Sequence, residues 1–341
     1  MIKQRTMGRT SLKISELCLG TLNFGWNTDE NNSFGILDAY HALGGNFIQT
    51  FGRVPETSLP STSTCISEDM VGRWWQARGI RRDDLVLATR LDVRQPVDRN
   101  GSFARLVREK LQQSLRRLKT TYIDIVIFEW NDALLPIRET LEAFDGLVRP
   151  GLVRFIGAAN FPVWRVADSI GRAYLRNHCR METLQADYSL MTRARFEPDA
   201  MALCGEQRLG FFARSPLAGG FLARRDGVGD LVNSLRRDWL VQRFGNAYGD
   251  AGLAAVGDVA ARHEASSAQI ALAWVLHNPL VTSAVVGVRS PAKLSELAHT
   301  GSLRLTERDL LQLDEATAAE EVRVTADISS RGAEPFELIR D

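Results

Sequence analysis

Short apolar runs alternate with longer amphipathic stretches along most of the chain. Eight runs have the length and composition of buried strands: LCLGT (17–21), NFIQT (46–50), LVLATRL (85–91), IDIVIFEW (123–130), VRFIGAAN (153–160), TLQADYS (183–189), LGFFARSPL (209–217) and SAVVGVRS (283–290). Helical patterns lie between them, among them SFARLVREKLQQSLRRL (102–118), PIRETLEAFDGLVRPG (136–151) and SAQIALAWVLHN (267–278). The second opens on a proline at its first turn and stops at Arg-Pro-Gly, as helix boundaries do. Strands that alternate with helices over one continuous chain predict an α/β fold, a (β/α)8 TIM barrel. An open, doubly wound sheet is the alternative. It calls for a GxGxxG turn after an early strand, and the sequence has none.

Composition narrows the function classes. The 341 residues are 45% hydrophobic and 24% charged, with a formal net charge of +1. No global field draws such a chain to nucleic acid or an anionic membrane. No stretch approaches the roughly 20 apolar residues of a membrane span, and MIKQRTMGRT reads as no signal peptide. Cys18, Cys65, Cys179 and Cys204 are far apart and form no CxxC, so reduced thiols in a cytoplasmic protein are expected. His41, His178, His263, His277 and His299 have no metal spacing, and no metal is expected. The Arg-rich segments 116–119, 224–226 and 236–238 read as solvated helix faces.

The expected domain runs over 1–319. PETSLPSTSTCISED (55–69) follows the second strand and reads as a long loop at the face where barrel enzymes keep their sites. It is either a lid or a plain surface insertion. The tail 320–341 crosses the barrel mouth or extends into solvent.

Seven fragments in order carry a resemblance. MGRTSLKISELCLGTLNFG, GGNFIQT, LQQSLRRLKTTYIDIVIF, LVRPGLVRFIGAANF, LQADYSLMTR, RSPLAGGFL and VVGVRSPAKLSEL together resemble the aldo-keto reductase family from about residue 3 to 317. The first fragment is similar to that family's N-terminal β-hairpin and first barrel strand. The resemblance implies NADP(H) bound at the barrel mouth and hydride transfer to a carbonyl. In the family a tyrosine gives the proton, aided by a lysine, an aspartate and a histidine. A carbonyl that accepts hydride becomes an oxyanion, and an acid of lowered pKa beside it stabilises that charge.

Carried over residue by residue, all four positions differ. Gln49 stands at the aspartate, Val54 at the tyrosine, Arg90 at the lysine and Glu129 at the histidine. No tyrosine lies between Tyr40 and Tyr122, so a small shift of alignment does not restore one. DIVIFEWND (124–132) therefore ends a strand in a carboxylate, with Trp130 next to it. Either Glu129 and Arg90 form an ion pair that plugs the mouth, or Glu129 is an acid or base in other chemistry. Arginine keeps its proton at neutral pH, so Arg90 suits an oxyanion better than proton transfer. Relatives with Glu at the histidine position reduce activated carbon–carbon double bonds, but they keep the tyrosine.

The nucleotide positions fare better. Asn160 and Gln185 match the family's carboxamide contacts, with Ala159 in place of a serine. Arg214 matches the residue against the nicotinamide. Ser215, Leu217 and Gly219 match the pyrophosphate-side loop, and Thr21 is counted with the same contacts. Gly287 and Arg289 match the segment around the adenosine 2′-phosphate, and Glu296 an adenine contact. A guanidinium suits a phosphate dianion, so NADP is expected ahead of NAD. Trp26, Val54 and Trp130 are expected to line the substrate pocket.

Three functions follow as expectations. The first is a non-reductive conversion of a small polar metabolite, by cyclisation, dehydration or isomerisation, with Glu129 as acid–base. The Arg, Ala and Leu content fits bacterial specialised metabolism. The second is a catalytically silent protein that binds a nucleotide or a protein partner. The third is an NADPH-dependent reductase of carbonyls or alkenes with a substitute proton donor.

Overall fold

The computed structural model describes residues 1–25, 28–51, 66–92, 103–129, 136–224 and 237–318. Strands β1 (Gln4–Thr6) and β2 (Lys13–Ser15) pair antiparallel as a small separate sheet. Eight further strands follow: β3 (Leu17–Gly20), β4 (Phe47–Phe51), β5 (Val86–Asp92), β6 (Ile123–Glu129), β7 (Val153–Ala159), β8 (Met181–Asp187), β9 (Gly210–Arg214) and β10 (Val281–Val286). They pair in parallel in the closed order β10-β3-β4-β5-β6-β7-β8-β9. This is the (β/α)8 TIM barrel with its N-terminal hairpin, and each strand falls on one of the predicted apolar runs.

The barrel strands bury both faces, which is why they read as continuous apolar runs. Along β6, Ile125 and Ile127 join an interior cluster with Cys18, Phe47, Ala88 and Phe212. The alternate residues Val126 and Phe128 join the layer under the helices, where Phe128 stacks on Phe144 at 3.9 Å. Met7 and Ile14 of the hairpin region belong to the interior cluster. Met7 lies against Gly210, the first residue of β9, so the hairpin closes the N-terminal end of the barrel and leaves the C-terminal end as the mouth.

The outer helices form in chain order as α1 (Glu30–Ala42), α2 (Ile66–Ala77), α3 (Phe103–Leu118), α4 (Ile137–Val148), α5 (Val163–Arg176), α6 (Ala202–Gln207), α7 (Arg237–Phe244), α8 (Ala247–Arg262), α9 (Ser267–His277), α10 (Pro291–Ala298) and α11 (Glu307–Ala316). Helix α3 buries Phe103, Val107, Leu111 and Leu118, close to a four-residue repeat that makes one stripe. Reciprocal capping boxes start α9 at Ser266 with Gln269 and α11 at Thr306 with Asp309. Pro136 stands at the N-cap of α4, one place before the expected first-turn position. Arg117 differs from the expected solvated face. Its guanidinium bonds the fully buried Glu68 carboxylate at 2.7 Å, and Glu68 also accepts from the Thr89 hydroxyl at 2.6 Å. The expected loop 55–69 lies outside the described residues except for its last four positions, and the tail 320–341 lies wholly outside them.

Candidate functional site at the barrel mouth

The strand C-termini gather most of the predicted residues. Gln49 on β4 and Gln185 on β8 bond each other twice. Gln49 Nε2 donates to Gln185 Oε1 at 3.1 Å, and Gln185 Nε2 donates to Gln49 Oε1 at 2.8 Å. In the closed order these strands are four places apart in either direction, so the two amides bridge the lumen. Both side chains are 1% exposed. Thr21 is buried just past β3 and holds the strand below this pair. Its N–H and its hydroxyl both donate to the Gln49 carbonyl, at 3.0 and 3.1 Å.

A second group sits on β7, β8 and β9. Arg214 closes β9 and grips Asp187, the last residue of β8. Nε donates to Oδ1 at 2.7 Å and Nη2 to Oδ2 at 3.0 Å. Nη2 also donates to Asn160 Oδ1 at 3.2 Å. Burial pushes the Asp187 carboxyl up, but Arg214, aided by Ser215, more than offsets this and holds it below its ordinary value. Asn160 and Ser215 both take left-handed backbone, at φ 58° and 52°, where the chain turns out of the barrel. The predicted loop continues through Leu217, whose carbonyl accepts from Gly220 N at 2.9 Å, and Gly219 at φ 71°. A side chain at Gly219 would meet Trp239 and Leu240 of α7 at 3.2 and 3.3 Å, so this helix packs over the loop.

The third group follows β10. Gly287 is exposed, and a Cβ there would make ordinary contact with the Asn23 amide at 3.5 Å. Arg289 is exposed just before Ser290, the N-cap of α10. Glu296 is held inside its own neighbourhood. Lys293 Nζ bonds both its oxygens at 2.7 and 2.8 Å, and the Ser266 hydroxyl donates at 2.5 Å. Burial opposes its charge, and these donors outweigh burial and lower its pKa.

Arg90 is 7% exposed near the end of β5, with its guanidinium carbon 5.5 Å from the Phe51 ring centroid. Its strand neighbours in register are Phe51 and Ile127. Glu129 ends β6 two residues beyond Ile127, in register with Asp92 and Ala159. Of Glu129 only the backbone is described, and Trp26, Val54 and Trp130 lie outside the described residues. Sequence reasoning missed Asp187, Lys293 and Ser266. Asp187 carried the same signal as Glu129, an acidic residue ending an apolar strand.

A profile of the Aldo/keto reductase family matches residues 16–318. The chain belongs to that family. The uncharacterized oxidoreductase YrpG of Bacillus subtilis strain 168 is 32% identical over 323 residues, 91% of this chain and 94% of that protein. Protein tas of Escherichia coli K12 is 28% identical over 340 residues, covering 89% and 94%. Norsolorinic acid reductase B of Aspergillus parasiticus is 27% identical over 334 residues, covering 90% and 81%. Aldo-keto reductases generally bind NAD(P)H. Among the described residues no helix of this aldo-keto reductase is long and apolar enough to cross a membrane, and no group of His, Cys, Asp and Glu has the arrangement of a metal site.

Proposed function

We propose that this aldo-keto reductase binds NADP(H) at the barrel mouth and converts a small polar metabolite with Glu129 as acid–base, in place of the family's tyrosine-centred proton transfer. The reaction is a cyclisation, dehydration or isomerisation rather than an ordinary carbonyl reduction. One observation carries the reading. The eight barrel strands contain no Tyr, Lys or His, and the ionisable residues at their C-terminal ends are Arg90, Asp92, Glu129, Asp187 and Arg214. Asp187 and Arg214 are bound to each other, which leaves Asp92 and Glu129 as the acidic strand ends, and proton transfer is assigned to Glu129 because it stands at the family's histidine position. Arg90, one strand away, holds negative charge that develops on the substrate.

The residues fit a nicotinamide nucleotide. Each amide of the Gln49–Gln185 pair keeps one N–H and one oxygen lone pair beyond the pair. Arg214, Ser215, Leu217 and Gly219 form a turn at the end of β9, and Gly287 and Arg289 offer open backbone and an exposed guanidinium at the end of β10. Bound there, the nucleotide supplies hydride chemistry or orders the mouth. Arg289 is the group assigned to a 2′-phosphate, which favours NADP over NAD.

A second reading is a reductase that draws its proton from Glu129 or from water. The reductase and oxidoreductase names of relatives aligned over nearly the full chain favour it. The test is a panel of polar carbonyl, enol and hydroxy metabolites, run with NADPH on the native protein and on Glu129→Gln. The proposal expects turnover without loss of NADPH absorbance, and a drop of about 10²-fold or more in the variant. Stoichiometric NADPH oxidation would move the assignment to the second reading. Turnover unchanged by Glu129→Gln would remove the role of that residue. Tight NADPH binding with no turnover of any compound would make the protein a silent binder.

A further inference from the structure

The Gln49–Gln185 bridge has a property that neither residue has alone. Each amide gives one N–H and accepts with one oxygen, so the pair is a closed ring of two hydrogen bonds, 3.1 and 2.8 Å long. If both side chains turn over together, both bonds survive. If one turns alone, oxygen meets oxygen and NH2 meets NH2. The two orientations are therefore coupled, and Gln185 is not an independent rotor. Thr21 fixes the backbone of Gln49 beneath the ring through two donors to its carbonyl. Both amides are almost wholly buried. No other hydrogen bond reaches either amide among the described residues, so the ring keeps a matched donor and acceptor for one planar amide.

We propose that Gln49 is a positioning residue for the nicotinamide carboxamide. By coupling the flip of Gln185 to its own, it keeps one donor and one acceptor together for the incoming group, and so favours a planar amide over a group that only accepts. This rests on the nucleotide reading above and adds to it a role for a side chain at a position where the family carries a carboxylate. The coupled pair is neutral, so this part of the site works without any titrating group.

The test compares three probes on the full chain by fluorescence titration. They are NADPH, its acetylpyridine analogue, whose ketone accepts but does not donate, and an adenosine bisphosphate that lacks the nicotinamide. The variants are Gln49→Met, which keeps an unbranched chain of similar volume, and Gln49→Glu, which can accept from Gln185 Nε2 but cannot donate back. Either one carries the test if the other fails to fold. The native protein is expected to favour NADPH over the analogue by about 10-fold, as lost paired polar contacts do. Gln49→Met is expected to weaken NADPH by about 10-fold while the analogue changes by less than about 3-fold, and the nicotinamide-free probe stays the same. Gln49→Glu is expected to shift in the same direction. A common factor across all three probes would mean a merely structural role and overturn the proposal, as would no change in any. Native binding of NADPH without discrimination against the analogue would remove the role of Gln49 and leave the nucleotide reading standing. Native protein that binds none of the three would remove both.

Discussion

Arg214 and Asp187 end neighbouring strands and meet in a two-bond clamp, 2.7 and 3.0 Å, with Asn160 on the same guanidinium. The clamp neutralises a cation at the position assigned to the nicotinamide. Oxidised nicotinamide is positively charged and the reduced ring is neutral, so the clamp bears on the two redox states differently. Asp187→Asn leaves the Arg214 charge unbalanced. The ratio of NADP+ to NADPH dissociation constants is expected to rise by about 3- to 10-fold, on Coulomb grounds in a partly wet site. Parallel titrations of the two forms read this ratio, and an unchanged ratio would place Arg214 away from the ring.

The Glu68 carboxylate is fully buried against Arg117 and Thr89, directly behind the strand that carries Arg90. Removal of one partner from a buried ion pair strands the other. Glu68→Ala is expected to cost about 3–5 kcal/mol, read as a lower urea midpoint at an unchanged slope. A loss under about 1 kcal/mol would mean that Arg117 swings out to water at little cost.

Acid removes part of the stability at the C-terminal end of α4. Burial pushes the Asp145 carboxyl up, but the Cys179 N–H, the His178 ring and Arg149 outweigh it and bring its pKa down to about 2. A folded pKa below the unfolded one stabilises the protein above the unfolded value, near 4. That contribution is lost as pH falls from about 4 to about 2. Asp145→Asn should lower stability at neutral pH by about 2 kcal/mol and flatten the native protein's loss of stability in that window. Urea midpoints at stepped pH test both.

Gly157 allows β7 to lie close to β8. A Cβ there would overlap the Thr183 hydroxyl and sit 3.0 Å from the Thr183 carbonyl. Gly157→Ala is expected to cost about 1–3 kcal/mol through overpacking. Full stability in the variant would show that β8 yields at this point.

The barrel was legible because both faces of its strands are buried, so each strand stands out as an apolar run against amphipathic helices. Its ends were less so. Pro136 was expected in the first turn and stands at the cap, and TLQADYS was read two residues late because Met181 and Glu182 belong to the strand. At the mouth, Gln49 and Gln185 were each singled out by position, but their contact was not, since it joins strands 136 residues apart in sequence. Arg117 passed as a surface charge because its partner, Glu68, sits on another helix 49 residues earlier. Periodicity reports which face a residue occupies. It carries nothing about a partner reached across the fold.

The central claim is that the mouth holds a nicotinamide nucleotide although none of the usual proton-transfer residues stands there. Titration of NADPH into the purified protein, followed by quenching of tryptophan fluorescence and compared with NADH, tests it most directly. The account predicts saturable binding at micromolar NADPH, tighter than NADH. No saturation at millimolar concentrations of either would contradict it.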